Sequence, residues 1–464
     1  MKIINKIKYL TLIFCSLLVS CEDFVAVDTP NNRIVKTSVF VDETTAQSAM
    51  QGIYNQLYRL DFSRGFENSV TNLTALSADN LQLIRDNNPT YLEFLENEIL
   101  PGNARNLSLW SSAYNMIYMT NALLEGLEGS LLEEGFKNSL EGQARFIRAF
   151  TYFNLVNLYG DVPLLLSTDY RYNATAPRVP LEDVYDQILE DLEVSSTLLM
   201  ENYPDSERTV VNKFVAFSLM ARLYLYLENW EQAEYFSSQV IHQQNTYQLL
   251  EDLDLVFLQN SKEAIWQISP LGKGGISTET NEGALYVIEP GTTALYNLKL
   301  TQDLVNTFQV VDQRLVHWVG YSDIESVYFA HKYKDRNSTN NLTEYSMVLR
   351  LAEQYLIRSE ARAMQNKIDS ALQDINSIRT RAGLESLNLN QNWNSESLRN
   401  LILEERRKEF FMEWGHRWFD LKRTGLAEDR LSVKKPGWQN TDVYYPIPDE
   451  ERIMNTNLTQ NDGY

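Results

Sequence analysis

Cysteine is nearly absent from this chain. Its 464 residues include two, Cys15 and Cys21, both close to the N-terminus. Cys15 lies in a segment that we expect to be removed, and Cys21 is predicted below to carry lipid. The mature body then has neither a disulfide nor a thiol nucleophile, so its stability must come from a large hydrophobic core.

Positive charge is also in short supply. The 41 Lys and Arg residues face 62 Asp and Glu residues, which gives a formal net charge of −21. A body of this charge repels phosphate groups. We therefore exclude nucleic acids and anionic lipid headgroups as its main partners.

Catalytic signatures are missing as well. No His-Glu-x-x-His or Gly-x-Ser-x-Gly motif occurs, and the four histidines lack the spacing of metal ligands. The adjacent acids Glu404 and Glu405 could in principle supply the two carboxylates of a glycosidase. Neighbours on a helix point apart, however, so a solvated charged face is the better interpretation. We predict a protein that is not an enzyme, needs no cofactor and has no identifiable metal ligands, while a structural Ca²⁺ ion held by loop oxygens stays open.

The N-terminus has the pattern of an export signal. Three lysines precede a short apolar run over 9–19, which is about half the length needed to span a bilayer. Leu18-Val19-Ser20-Cys21 is similar to a bacterial lipobox, in which cleavage precedes the cysteine. We predict a signal peptide over 1–20, lipidation at Cys21 and an extended tether over 21–35.

Helical periodicity dominates the rest of the chain. Apolar positions recur every three or four residues over 104–128 and over 137–159, where Gly160 provides a C-terminal cap. Residues 211–242 form a helical hairpin with the small-residue spacing of a tetratricopeptide repeat, and 347–381 form another. We predict a mostly α fold with about four such hairpins.

Residues 251–345 depart from this pattern. They contain one strand-like run, 264–268, followed by sequence rich in Gly, Ser and Thr. Long irregular segments in a compact protein often carry function. We predict a loop-rich cap with a few short β-strands over 251–345, within a C-terminal region 251–464 that follows an N-terminal helical-hairpin region 36–250.

Five stretches occur in the order found in one known family. Two of them are Ile378-Arg379-Thr380-Arg381-Ala382-Gly383-Leu384 and Glu404-Glu405-Arg406-Arg407-Lys408-Glu409-Phe410, which continues to Arg423. The others cover 145–163, 349–361 and 445–464. Together with the lipobox, they resemble the SusD/RagB family of outer-membrane nutrient-uptake lipoproteins. One departure is Asp462, where members of the family often have proline.

The resemblance implies a function and a location. Members of this family are lipid-anchored in the outer membrane, facing the cell exterior, and sit on a SusC-like TonB-dependent transporter. They capture an oligomeric nutrient, usually a glycan and in some members a peptide, and pass it to the transporter. The motifs themselves indicate a structural role, because their arginines lie beside apolar helix faces and suit buried ion pairs with Asp or Glu.

Glycan binding requires aromatic faces and polar groups on loops, and two regions supply them. The region 79–91 contains Asp79, Asn80, Arg85 and Tyr91, and the region 269–333 contains the others. The candidate ligand-binding residues are Trp318, Tyr286, Tyr296, Tyr321, Asp79, Asn80, Arg85 and Tyr91. Trp318 is the favoured single residue, and its alternative role is that of a core tryptophan.

Two other functions stay open. One is a peptide-binding uptake lipoprotein of the RagB type. The other is a tetratricopeptide-like outer-membrane scaffold that binds only protein, because helical hairpins make concave surfaces for partner segments. Nothing in the residues separates glycan from peptide cargo.

Overall fold

The structure is a computed structural model that describes residues 40–388 and 391–464. The predicted signal peptide, Cys21 and the tether over 21–35 lie outside these residues. Within the described part of the chain, no helix is both long enough and apolar enough to cross a membrane.

The described residues include eighteen α-helices. In chain order their bounds are α1 Glu43–Leu57, α2 Val70–Ser77, α3 Pro89–Glu96, α4 Ala104–Glu128, α5 Glu134–Tyr159, α6 Tyr170–Asn173, α7 Leu181–Leu198, α8 Lys213–Tyr226, α9 Trp230–Ile241, α10 Asn281–Tyr286, α11 Gln302–Val305, α12 Gln313–Trp318, α13 Leu351–Met364, α14 Ile368–Arg381, α15 Ser395–Phe410, α16 His416–Arg423, α17 Ala427–Leu431 and α18 Asp449–Met454. The predicted mostly α fold is confirmed.

The long helices begin and end where local chemistry predicts. Asn103 caps α4, and its side chain accepts hydrogen bonds from two backbone amides of the first turn. Gly160 ends α5 with a φ of 70°, a conformation that costs glycine little. Helix α4 packs on α5, and α5 packs on α7.

The tetratricopeptide-like spacing is reflected in close helix packing. Ala221 of α8 and Ala233 of α9 are fully buried and share one apolar cluster with Ile357 and Ala361 of α13. Small side chains at these positions let the helix backbones approach, as the repeat pattern predicts. Helices α13 and α14 form the second predicted hairpin.

Two helical predictions need correction at their ends. Residues 346–350 form a strand rather than the start of the hairpin helix, because they pair with the strand over 264–268. Apolar periodicity also predicts helix over 395–423, and in the structure this stretch breaks between α15 and α16. Met412, Trp414 and Gly415 all take positive φ angles there, and an α-helix cannot continue through them.

In the described ranges 40–388 and 391–464, six short strands form three two-stranded antiparallel sheets. Strand β1 (Leu81–Leu83) pairs with β3 (Leu298–Leu300), β2 (Ala264–Ile268) with β6 (Ser346–Arg350), and β4 (Val319–Ser322) with β5 (Val327–Ala330). The pairing of β1 with β3 joins residues 81–83 to the cap. The β4–β5 hairpin stands within the cap.

A buried cluster of ion pairs connects the cap to the C-terminal helices. Glu409 of α15 lies 2.6 Å from Arg350 at the end of β6 and 3.1 Å from Arg314 of α12, and it also pairs with Arg381 of α14. All four side chains are at most 3% exposed. Burial alone would raise the pKa of Glu409, but the three guanidinium groups outweigh it and hold that pKa well below its usual range.

The same helix shows that one sequence interpretation was half wrong. The side chain of Glu404 is 40% exposed and forms a loose surface pair with Arg430 at 3.6 Å, as expected of a solvated face. Glu405 is buried and pairs with Arg314 at 2.6 Å. It therefore belongs to the ion cluster and has no access to a substrate.

The other predicted buried ion pairs are present. Arg148 of α5 donates two hydrogen bonds to Asp191 of α7, at 2.8 and 2.7 Å. Arg423 lies 2.7 Å from Glu360, which joins α16 to α13. Because each guanidinium meets a carboxylate on another helix, these pairs fix the register between helices.

We expect Glu409→Gln to destabilise the protein by roughly 3–5 kcal/mol, because it leaves three buried arginines without their shared charge. The matched control is Glu404→Gln on the same helix, for which a change below about 1 kcal/mol is expected. Urea unfolding followed by circular dichroism gives both values. Equal effects of the two substitutions would show that the cluster does not stabilise the fold.

Candidate functional site

Asp79 and Asn80 serve the scaffold. Asp79 lies 2.8 Å from Arg417 and 2.7 Å from Lys434, and Asn80 accepts a hydrogen bond from Arg407 at 3.0 Å. Both are almost completely buried. Burial alone would raise the pKa of Asp79, but the three cations outweigh it and hold that pKa well below its ordinary value. Neither side chain is available to a ligand in this arrangement.

Tyr91 and Tyr286 are also buried, and both contact Asn72. The Asn72 side chain donates to the Tyr91 hydroxyl at 3.3 Å and accepts from the Tyr286 hydroxyl at 3.2 Å. Arg105 covers the Tyr91 ring at 3.8 Å. These rings join α2, α3 and α10 and present no face to solvent.

Trp318 is the last residue of α12 and is fully buried. Its indole N–H donates to the carbonyl of Leu253 at 3.1 Å. Lys332 lies 4.8 Å from the ring, and Arg350 and Arg381 each lie 5.6 Å from it. The ring therefore packs on the buried cations, which corresponds to the alternative role of a core tryptophan, and it has no surface for stacking on a sugar.

Tyr321, on β4, is the candidate whose ring is open to solvent. Its side chain is 51% exposed, and its ring lies 4.9 Å from that of Tyr328, its partner across the β4–β5 hairpin. The neighbouring pair is Gly320 and Phe329, and any side chain at 320 would collide with the Phe329 ring. The hairpin therefore presents one tyrosine ring supported by a second.

Tyr321 stands at the edge of a cleft of about 560 Å³, which we call the cap cleft. Its walls come from the segment 287–291, the β4–β5 hairpin and the segment 331–337. Glu289 faces Arg336 at 3.6 Å and accepts a hydrogen bond from Asn337 at 3.1 Å. Opposite charges thus balance across this wall.

His331 gives the cap cleft an uncharged polar group. Burial, with the nearby charge of Lys334, lowers the pKa of His331 to about 4. The imidazole is therefore neutral near pH 7. A neutral imidazole has one donor and one acceptor nitrogen, which suits a hydroxyl group.

Arg85 acts as a tie between the loops beside the cleft. Its guanidinium donates to both carboxylate oxygens of Glu325, at 2.9 and 2.7 Å, and the amide of Ala294 donates to the same carboxylate at 3.2 Å. Asn297 accepts from the Arg85 amide and donates to its carbonyl, at 2.9 and 2.7 Å. One ion pair thus connects the loop after β1, the segment before β3 and the β4–β5 turn.

Tyr296 lies in the same tied segment. Its ring is half-buried and meets Phe66 edge-on, with the centroids 5.1 Å apart. Sequence reasoning missed Phe66, Tyr328 and His331 as neighbours of the candidates. The Val327-Tyr328-Phe329 run after a turn could have indicated the second strand of the hairpin.

Two buried acids lie under the cap. Glu344 accepts the backbone amides of Lys334 and Asp335 at 2.6 and 3.3 Å, and burial raises its pKa to about 7. Glu282 pairs with the hydroxyl of Ser346, and its other oxygen has no hydrogen-bond partner among the described residues. Burial likewise raises the pKa of Glu282 to about 7.

Comparison with known proteins decides the family. A family model described as "starch-binding associating with outer membrane", of the SusD-like type, matches residues 28–225, and a SusD family model matches residues 319–464. The chain belongs to the SusD/RagB family. The boundary that we predict at residue 250 falls between the two matches, so it stays a prediction.

SusD-like proteins from several bacteria resemble the chain along its whole length. SusD-like protein P2 of Formosa agariphila is 26% identical over 99% of this chain and 100% of its own. A SusD superfamily structure from Bacteroides vulgatus superposes with a TM-score of 0.81 at 23% identity, covering 91% of this chain and 99% of that one. A structure described as a laminarin-binding SusD-like protein has a TM-score of 0.77 at 23% identity, covering 92% and 100%. These structures confirm the SusD-like fold.

In the part of the chain that the structure describes, no group of three or more His, Cys, Asp or Glu side chains is placed to hold a metal ion. The lining of the cap cleft offers ring faces, amides and charged groups.

We expect Trp318→Ala to lower stability by roughly 3–5 kcal/mol, because it opens a cavity and uncovers the buried cations. Tyr321→Ala, three residues away, should cost less than about 1 kcal/mol, since its ring is half exposed. Urea unfolding of the two variants tests this difference. A stable, well-folded Trp318→Ala protein would contradict the assignment of this ring to the core.

A second prediction concerns pH. Between pH 4.5, the ordinary pKa, and about 7 the unfolded chain releases the proton of Glu282 while the folded protein keeps it, so this group lowers stability as pH rises. Glu282→Gln removes this loss. We therefore expect the stability of the variant relative to wild type to be up to about 3 kcal/mol greater at pH 8 than at pH 4.5. Exposed Glu289→Gln is the control. If the difference in unfolding free energy between wild type and Glu282→Gln does not change with pH, the expectation is refuted.

Proposed function

We propose that this protein is a cell-surface lipoprotein that binds a glycan in the cap cleft and delivers it to a SusC-like TonB-dependent transporter. The observation that carries the proposal is the half-exposed ring of Tyr321, held by Tyr328 at the edge of a cleft beside neutral His331. The same residues offer no nucleophile or acid–base pair, so the proposed activity is binding and not catalysis.

The contacts in the cap cleft suit a sugar. A tyrosine face packs against the C–H side of a pyranose ring, and its hydroxyl stays in water. Hydroxyl groups of the sugar can exchange hydrogen bonds with the imidazole of His331, the carboxylate of Asp323 and the amide of Asn337, which line the cleft. The lining carries three acids, Glu289, Asp323 and Asp335, and two bases, Lys334 and Arg336, so its charges nearly balance and do not select strongly for a charged ligand.

The loops around the cleft are tied before any ligand arrives. The Arg85–Glu325 pair and the Asn297 amide hold three segments by side-chain contacts. Loops ordered in advance lose less entropy on binding, so a shallow site gains affinity. In this proposal Arg85 positions the site and Tyr321 contacts the ligand.

The comparisons support a glycan as the cargo. The description of one matching family model names starch, and a structurally similar protein is described as binding laminarin. Peptide cargo and a purely protein-binding scaffold remain the alternatives. The test below separates them.

Location and partner rest on the N-terminal motif and the family. The Leu18-Val19-Ser20-Cys21 sequence supports lipid attachment at Cys21, and the family model's description places such proteins at the outer membrane. A lipid anchor that faces the exterior would keep the cap cleft near a SusC-like barrel. Loss of metabolic labelling by a fatty-acid probe in Cys21→Ser would test the anchor.

The first experiment is a binding screen with residues 22–464. Native affinity gels with neutral polysaccharides, including laminarin and soluble starch, are run beside calorimetry with mixed oligopeptides. We expect one polysaccharide to retard the protein and Tyr321→Ala to weaken that binding about tenfold, which corresponds to ~1.4 kcal/mol of lost ring contact.

Tyr235→Ala is the matched control, because Tyr235 on α9 is 52% exposed, almost the same as Tyr321. It should bind as wild type does. Retardation unchanged by Tyr321→Ala would remove the cap cleft from the proposal. Binding heat with peptides, together with no retardation by any polysaccharide, would instead establish the peptide-binding alternative.

A further inference from the structure

A second cleft lies in the N-terminal half, far along the chain from the cap. It has a volume of about 350 Å³ and runs between α4 and the segment 163–174. One wall is a helical stripe that includes Tyr114, Tyr118 and Asn121, spaced by four and three residues. The opposite wall includes Tyr170 and Asn173. We call it the tyrosine cleft.

Side-chain hydrogen bonds fix the outer wall of the tyrosine cleft. The Tyr114 hydroxyl donates to the carbonyl of Pro163 at 2.9 Å, and the Asn121 amide donates to the carbonyl of Leu165 at 2.9 Å. The hydroxyl of Thr168 donates to Glu125 of α4 at 2.6 Å. Because these bonds tie an irregular segment to a long helix, the cleft exists without a ligand.

The two walls leave aromatic rings in water. Tyr118 is 55% exposed and Tyr170 is 72% exposed. The carbonyl oxygen of the Asn173 side chain is enclosed, yet it has no hydrogen-bond partner among the described residues, while its amide donates to Ser167 at 2.9 Å. Because this oxygen is enclosed, a ligand in the cleft does not reach it in this conformation, and the exposed tyrosine rings are the contacts that the two walls offer.

The lining of the tyrosine cleft carries no acidic or basic side chain among the described residues. This is unusual for a chain with a net charge of −21. Its volume is within the range of roughly 300–1,000 Å³ that small-molecule sites occupy. The complementary ligand is therefore uncharged and has apolar faces that can meet the tyrosine rings.

We propose that the tyrosine cleft is a second binding site for a neutral oligosaccharide. It shares no residue with the cap cleft, so the inference goes beyond the proposed function and has in common with it only the class of ligand. Two weak sites on one body bind a long polysaccharide more tightly than either binds alone, because the second contact forms at high effective concentration.

Calorimetry with neutral hexasaccharides tests the proposal, with laminarihexaose, maltohexaose and cellohexaose as probes. Wild type should bind two molecules of one hexasaccharide per chain. The double substitution Tyr118→Ala with Tyr170→Ala should remove one of them and weaken retention on the matching polysaccharide at least tenfold. Tyr321→Ala should remove the other, and Tyr235→Ala should change neither. Both rings of the double variant are exposed, so it should melt as wild type does.

The outcomes separate the two sites. One bound hexasaccharide, lost in Tyr321→Ala and kept in the double variant, would overturn the second site and leave the cap cleft in place. If the double variant loses hexasaccharide binding and Tyr321→Ala has no effect, the result would support the tyrosine cleft and overturn the cap cleft. Unchanged sugar binding with weaker association to the transporter would overturn the inference and make the cleft a protein contact.

Discussion

The shared carboxylate of Glu409 is the interaction on which the arrangement of the protein depends. Burying a carboxylate and three guanidinium groups is unfavourable unless every charge is paired in a fixed geometry. Arg350, Arg381 and Arg314 come from β6, α14 and α12, so one geometry positions a strand, a hairpin helix and the cap together. Trp318 packs over Arg350 and Arg381 of the same cluster, which covers these two guanidinium groups. The cap is thereby attached to the helical scaffold through buried ion pairs.

Within the cap, side chains replace regular secondary structure as the source of order. Its sheets have only two strands each, and such ribbons are marginal on their own. Glu325 collects hydrogen bonds from Arg85 and Ala294, and Glu344 collects two backbone amides of the segment that lines the cap cleft. A buried acid that accepts backbone amides can order a loop without the length that a strand requires. This explains how an irregular segment can present a defined surface.

The helical part of the fold could be predicted from sequence because its signals are local. The stripe over 104–128 and the cap at Gly160 depend on residues within a few turns of each other. The candidate site could be predicted only in outline. Trp318, the favoured candidate, and Tyr321 are three residues apart, yet one is in the core and the other is in solvent. The difference arises from Lys332 and the distant Arg350, and such contacts leave no periodicity in the chain. Asp79 was misleading for the same reason, since its partners lie more than 300 residues away.

The charge pattern argues for a particular kind of capture. The body is strongly acidic, but the cap cleft balances Glu289 with Arg336 and the tyrosine cleft is uncharged. The two proposed sites would therefore rely on ring contacts and hydroxyl hydrogen bonds more than on long-range attraction. Such sites are individually weak and release short ligands quickly, whereas a polymer that touches both is retained. The proposed delivery to a transporter would benefit from this combination, because the polymer can leave one site at a time without a single high barrier to release.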